Sequence, residues 1–237
     1  MRTIIIGGVA AGMSAATRLR RLDEQREIVV FERGAHVSFA NCGLPYYVGG
    51  VIADRASLLL QTPASLAARF ALRVHVRHEV TAIDAASKVV TVRDLDAGTE
   101  RDEPFDDLVL AMGAAATSGI PGEGVPVATL RSVDDVDAIT EVLAGLRTPR
   151  TVVAGGGFIG VEAVENLVHR GARVTLVQRG AQVLSALDPE MASPVHRALS
   201  TAGVDVRTRT TIERLEAGAV VLSDGSHVPA HLVVDAR

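Results

Sequence analysis

The stretch 151–160, TVVAGGGFIG, decides the architecture of this 237-residue chain. An apolar, β-branched run leads into glycines at 155, 157 and 160, the G-x-G-x-x-G spacing, and a helical pattern follows to about His169. In such a turn one glycine makes the bend, one lets backbone approach a pyrophosphate, and the third lets helix pack on strand. The helix amino end then faces the anion with free N–H groups and the positive end of its dipole. A packing turn without a ligand uses the same glycines, but strand before and helix after are the context a dinucleotide loop requires. ARVTLV at 172–177 supplies the next strand and completes a βαβ unit.

Working outward, the same order of events opens the chain. RTIII at 2–6 reads as a buried parallel strand, GGVAAG at 7–12 as a glycine turn, and a helix runs to about Leu22. IVVFE at 28–32 is the second strand. Gly7 and Gly12 hold the outer glycine positions, with Gly8 and Ala10 between them, while Val9 replaces the middle glycine. Glu32 ends the second strand, where an acidic residue accepts ribose hydroxyls. In the later unit that place belongs to Gln178, followed by Arg179. Loss of the carboxylate removes repulsion toward a 2′-phosphate and the arginine attracts one, so this site is expected to tolerate NADPH as well as NADH. The competing reading keeps Gln178 on the ribose and leaves Arg179 as a surface residue.

The fold class expected is α/β: two Rossmann-like dinucleotide-binding units with parallel sheets and small antiparallel meanders, over 1–118 and 119–237. Between the openings, Thr62-Pro63 starts a short helix through Phe70, and Arg73–Val76, Lys88–Arg93 and Phe105–Met112 read as strands. Small residues, Gly and Pro over 113–126 form a linker. Ser132 caps a helix whose first turn is acidic, and Asp188-Pro189 opens another to about Ala202. Four short strands follow near 204–208, 211–215, 219–223 and 231–235.

SFANCGLPYYVGG at 38–50 holds the only cysteine, Cys42. Leu44-Pro45 suits a first helical turn, which would place the thiol near a helix amino end and favour the thiolate. A lone cysteine as a small buried hydrophobe is the alternative. One cysteine excludes an internal disulfide and a two-cysteine redox centre within the chain. A net charge of −4 without a basic run argues against a nucleic-acid footprint, and Arg18, Arg20 and Arg21 read as a solvated helix face. Seven dispersed histidines without an HExxH pair argue against a metal. No stretch is long enough to span a membrane, so a soluble, cytoplasmic protein is expected. With 48% apolar and 22% charged residues the chain can bury a real core, but aromatics at 3% leave it to Ala, Val, Leu and Ile.

Taken together, IIIGGVAAGMSAATRLRRL, IVVFERG, SFANCGLPYYVGG, HEVTAID, LVLAMGA, LRSVDDVDAI and GGGFIGVEAVENL resemble the flavoprotein pyridine nucleotide-disulfide oxidoreductases. The likeness is to the single-cysteine branch of coenzyme A-disulfide reductases, NADH-dependent persulfide reductases and NADH oxidases. SFANCGLPY is like the reductases, and a Val at the first loop's middle position is usual in this branch. The resemblance implies FAD on the first unit at Gly7, Gly8, Val9, Ala10, Gly12, Glu32, Arg33, Val80, Ala111, Met112 and Gly113. It implies NAD(P)H on the second, at Gly155, Gly156, Gly157, Phe158, Ile159, Gly160, Glu162, Gln178 and Arg179, with Glu162 near the nicotinamide. Arg18, Arg21, Ser38 and Asn41 match positions that hold coenzyme A. Met112 departs from the usual Thr of that motif, and a lysine often found near Phe70 is replaced.

The implied activity passes electrons from NAD(P)H through FAD to a disulfide or persulfide of coenzyme A type, with Cys42 as catalytic thiolate. The alternatives are a water-forming NADH oxidase cycling Cys42 through sulfenic acid, and a nucleotide-binding fragment without turnover. Family members are about twice this long: they return to complete the flavin domain and end in a homodimer interface domain. This sequence ends at HLVVDAR, the strand expected to close the second unit. Apolar surface left uncovered on the first unit, and lower stability there, are the corresponding expectations.

Overall fold

The computed structural model describes residues 1–116 and 119–237. It divides into two compact units, one of Met1–Ala40 with Ala56–Ala115, the other of Asn41–Arg55 with Ala116–Arg237. The boundary read between 118 and 119 falls at residues outside the described ones.

In the first unit β1 (Arg2–Ile6), α1 (Ala10–Leu22) and β2 (Glu27–Glu32) form the opening βαβ. Helix α2 (Leu44–Val48) comes next in sequence but belongs to the second unit. Then follow α3 (Pro63–Phe70), β3 (Arg73–Val76), the antiparallel meander β4 (His78–Asp84), β5 (Val89–Asp94) and β6 (Glu100–Pro104), and β7 (Asp107–Leu110). The parallel sheet has the order β3-β2-β1-β7. Its central strands β1 and β2 are buried on both faces, as the unbroken apolar runs foretold, while the flanking β3 and β7 are only partly covered. Ile5, Ile28 and Val30 pack with Met13 and Ala16 of α1 and Leu66 of α3. The alternate residues Ile4, Ile6, Val29 and Phe31 pack with Val90 and Val92 of the meander. The period-2 alternation of the strand thus sorts one sheet between two layers.

In the second unit β8 (Val127–Ala128), α4 (Val133–Leu143), β9 (Arg150–Ala154), α5 (Phe158–His169), β10 (Arg173–Gln178), α6 (Pro189–Thr201) and β11 (Asp205–Thr208) precede a second meander. That meander is β12 (Ile212–Glu216), β13 (Ala219–Leu222) and β14 (His227–Pro229), and β15 (Leu232–Asp235) ends the unit. The parallel sheet runs β11-β10-β9-β15-β8. Val152, Ala154, Val177 and Val233 pack with Leu215, Val220 and Leu222 of the meander. Among the described residues the two units repeat one plan strand for strand, except that β15 carries β8 on its outer side and β7 carries no further strand in its sheet.

Helix boundaries follow from caps. Thr62 and Ser65 form a capping box at α3, and Ser132 and Asp135 form one at α4. Pro189 sits in the first turn of α6, where its missing N–H costs nothing. Four strands were not foreseen: β4, β6, β8 and β14. Among the described residues no helix is long and apolar enough to cross a membrane.

Candidate functional site

The glycine turns lie where strand order reverses, beyond the carboxyl ends of β1 and β9. Gly7 and Gly155 take φ of +104° and +105°, a region closed to most side chains. A Cβ on Gly12 would run into the Gly7 carbonyl oxygen, and one on Gly160 into that of Gly155. These glycines are explained by packing alone. Gly157 is different: a Cβ there would meet no heavy atom within 4 Å, and its φ of −77° is open to any residue. Protein packing does not demand a glycine at 157, and the open space there leaves room for close approach of a ligand.

The helices behind the turns point the same way. Neither α1 nor α5 has a side-chain cap or an acidic residue in its first turn. Their leading N–H groups and positive dipole ends are left for an anion, while α3 and α4 are closed by their own side chains. Both turns therefore fit the pyrophosphate of a dinucleotide.

The residue ending the second strand is held alike in both units. Glu32 accepts from the Gly8 N–H with Oε2 and from the Gly34 N–H with Oε1, each at 2.7 Å. Gln178 Oε1 accepts from the Gly156 N–H at 3.1 Å, and its Nε2 donates to the Gln182 carbonyl. Val37 lies against Gly8 as Val183 lies against Gly156, and Ala111 against Gly7 as Ala236 against Gly155. Duplication thus extends to side chains, and Val37, Val183 and Ala236 are site-supporting residues that sequence reading missed.

Of the other residues read in the first unit, Val9 is half-buried, Ala10 and Arg33 are exposed, and Val80 is half-buried on β4. Met112 and Gly113 are exposed just beyond β7. Arg18 and Arg21 project from α1 into solvent, and Ser38 takes a φ of +49°. Arg20 is not part of a solvated face. It donates to the carbonyls of Phe70, Ala71, Asp23 and Glu24, tying α1 to the end of α3.

In the second unit Phe158 and Ile159 are exposed at the start of α5, Glu162 is half-buried one turn on, and Arg179 is exposed. A depression of about 270 Å³ between the 181–182 turn and α6 includes none of the residues read as sites. Among the described residues no group of His, Cys, Asp or Glu is placed to hold a metal ion.

Cys42 is exposed, in a 3-10 turn (Asn41–Gly43) that runs into α2, so it is not a buried hydrophobe. Asn41 beside it is also exposed. Leu44, Pro45 and Val48 are buried, and the end of α2 is fastened to the second unit. Arg170 donates to the Val48 carbonyl at 2.8 Å, and the His169 ring bonds the Gly49 carbonyl at 3.0 Å. Arg55 Nε and Nη2 meet the two oxygens of Asp137 at 2.8 and 2.6 Å, a two-point pair closing the segment. Sequence periodicity gave no sign of this attachment, which is wholly tertiary.

A family model described as pyridine nucleotide-disulphide oxidoreductase matches residues 1–236. A coenzyme A disulfide reductase of Staphylococcus aureus is 32% identical over 94% of this chain and 51% of its own length. The crystal structure of reduced Bacillus anthracis CoADR-RHD superposes with a TM-score of 0.95 at 41% identity, covering 99% of this chain and 43% of that one. A NAD-dependent persulfide reductase from A. fulgidus gives 0.94 at 35% identity, covering 100% and 46%. The chain spans about half the length of the curated relatives it matches.

Proposed function

Because the chain belongs to the pyridine nucleotide-disulphide oxidoreductase family, we propose that it serves a flavin-dependent reduction of a small disulfide or persulfide by NAD(P)H. The observation that carries this reading is the pair of uncapped helix amino ends behind two glycine turns, in one chain with a single exposed thiol. FAD on the first unit and NAD(P)H on the second are the dinucleotides proposed.

FAD, when bound, supplies a two-electron carrier between hydride donor and sulfur. The chain's own residues then have separate tasks. Amides at the start of α1 and α5 bind the pyrophosphates. Glu32 and Gln178 accept ribose hydroxyls, and Phe158 and Glu162 line the nicotinamide end. Cys42, as thiolate, attacks one sulfur of the disulfide, forms a mixed disulfide and expels the other half as a thiolate. Two electrons from NAD(P)H cleave that bond, and a proton accompanies release of the second thiol. The sum is NAD(P)H, a proton and one disulfide giving NAD(P)⁺ and two thiols. The names of two relatives, coenzyme A disulfide reductase and persulfide reductase, support coenzyme A disulfide or a persulfide as the acceptor. Arg18, Arg21, Ser38 and Asn41 are the residues proposed to hold it.

A second reading, a nucleotide-binding unit without turnover, is favoured by one observation. Among the described residues the first sheet has four strands where the second has five, and Leu110 at the end of β7 and Met112 just beyond it are each 58% exposed. A visible spectrum of the purified protein separates the two. Bound flavin that bleaches on adding NADH or NADPH supports the reductase, and a colourless protein that still binds NAD(P)H supports the second reading.

A further inference from the structure

The duplication provides an internal control for what the second dinucleotide carries. In the first unit Glu32 is followed by Arg33, and the Arg77 N–H donates to the Gly34 carbonyl with Arg77 at a φ of +59°. In the second unit Gln178 is followed by Arg179, and the Arg209 N–H donates to the Gly180 carbonyl with Arg209 at +54°. Arg33 and Arg77 thus correspond to Arg179 and Arg209 by hydrogen bonding and backbone shape, not only by order.

Their electrostatic surroundings differ. Arg33 lies 3.7 Å from Glu79, and Arg77 lies 3.2 Å from Asp96. Thr211 stands in the second unit where Glu79 stands in the first, two residues beyond the corresponding arginine. Asp224, on the turn between β13 and β14, is taken by Arg207, which is also paired with Asp205. Arg179 and Arg209 are both exposed, with no side-chain hydrogen bond or ion pair among the described residues. The first unit therefore matches one carboxylate at the ribose position with two neutralised arginines. The second has no carboxylate there and two free ones. Thr210, next to Arg209, donates its N–H to the Gln178 carbonyl at 3.1 Å, which fixes this arginine's backbone beside the ribose position.

Resting on the proposal that NAD(P)H occupies the second unit, we infer that Arg179 and Arg209 together bind the 2′-phosphate of NADPH, making the second unit selective for NADPH over NADH. An uncompensated pair of guanidinia at the end of β10 suits a dianionic phosphomonoester, and an acid at 178 would have opposed it. Arg209 is the specificity residue that position in sequence does not disclose, since it arrives from the following strand.

The test is equilibrium binding of NADPH and NADH to the full chain at low and moderate salt, followed by nucleotide fluorescence and independent of turnover. Variants are Arg179→Gln, Arg209→Asn, which suits the left-handed backbone there, and Thr211→Glu, which restores the first unit's acid. Wild type is expected to bind NADPH about tenfold or more tightly than NADH, with the preference shrinking as salt rises. Each variant should weaken NADPH several-fold and leave NADH within about twofold. Equal affinities in wild type overturn the inference, as does a variant that weakens both nucleotides alike or an Arg209→Asn chain that keeps full preference. Binding of neither nucleotide would instead overturn the reading of the second unit as a dinucleotide site, and the inference with it.

Discussion

Gln178 holds the Gly156 N–H through its side-chain oxygen at 3.1 Å, the same contact that Glu32 makes with the Gly8 N–H at 2.7 Å. An amide and a carboxylate are equal to this task because the backbone donor asks only for an acceptor. They are unequal toward a ligand: a neutral amide also donates and does not repel phosphate. One turn geometry thereby presents different electrostatics at the two proposed dinucleotide sites.

Glycines of the second turn should divide sharply under alanine substitution. Gly160→Ala drives a methyl into the Gly155 carbonyl oxygen and should cost about 3 kcal/mol or more of stability. Gly157→Ala meets open space at an ordinary φ, so denaturation midpoints should shift by no more than about 0.5 kcal/mol. Its NAD(P)H affinity should nonetheless fall about tenfold or more, because the methyl stands where the pyrophosphate approaches. Unchanged affinity in Gly157→Ala would remove the ligand from that turn.

The attachment of the Cys42 segment should loosen locally. Asp137→Asn takes the charge from the two-point pair with Arg55, and Arg170→Ala frees the Val48 carbonyl. Each pair is partly exposed, so global stability should drop by about 1 kcal/mol or less. Hydrogen exchange of amides 44–50 should rise about tenfold while β9 and β10 remain protected. Uniform loss of protection across the second unit would show that these contacts hold the unit together rather than the segment.

A pH effect is expected from the ring stack of Phe31, His75 and His78. Burial, then the neighbouring His78, Arg101 and Arg73, push the His75 imidazole below its ordinary value of 6.5, with Glu103 opposing. The unfolded chain then binds more protons than the folded one just below that value. Stability should be fully present above about pH 6.5 and decline as pH falls through the lowered value. Urea midpoints of wild type and His75→Asn between pH 7.5 and 5 check this, and the variant should show a shallower decline. Parallel slopes would exclude His75 as the cause.

What was legible in the sequence is what local chemistry controls. Thr62-Pro63, Ser132 with Asp135, and Asp188-Pro189 announced the starts of α3, α4 and α6 because caps act within a few residues. The apolar runs at 2–6 and 151–154 announced strands buried on both faces. By contrast β6, with the sequence ERDEP, has no alternation to detect. It is an exposed edge strand held by pairing to β5. β8 has only two residues. The packing of Asn41–Arg55 with the second unit rests on Arg170, His169 and Asp137, far away in sequence, and no local pattern could reveal it. Arg209 was hidden in the same manner, since only the register of β11 beside β10 brings it next to Gln178.

The most direct test of the account is the chemical state of Cys42 during turnover. The flavin-loaded protein would be mixed anaerobically with excess coenzyme A disulfide, and intact mass recorded before and after adding NADPH. The account predicts one coenzyme A adduct on Cys42, its loss with release of thiol once NADPH is added, and neither event in Cys42→Ser. A Cys42→Ser protein that consumes NADPH with coenzyme A disulfide at the wild-type rate, or a wild-type protein that turns over with no adduct at Cys42, would contradict it.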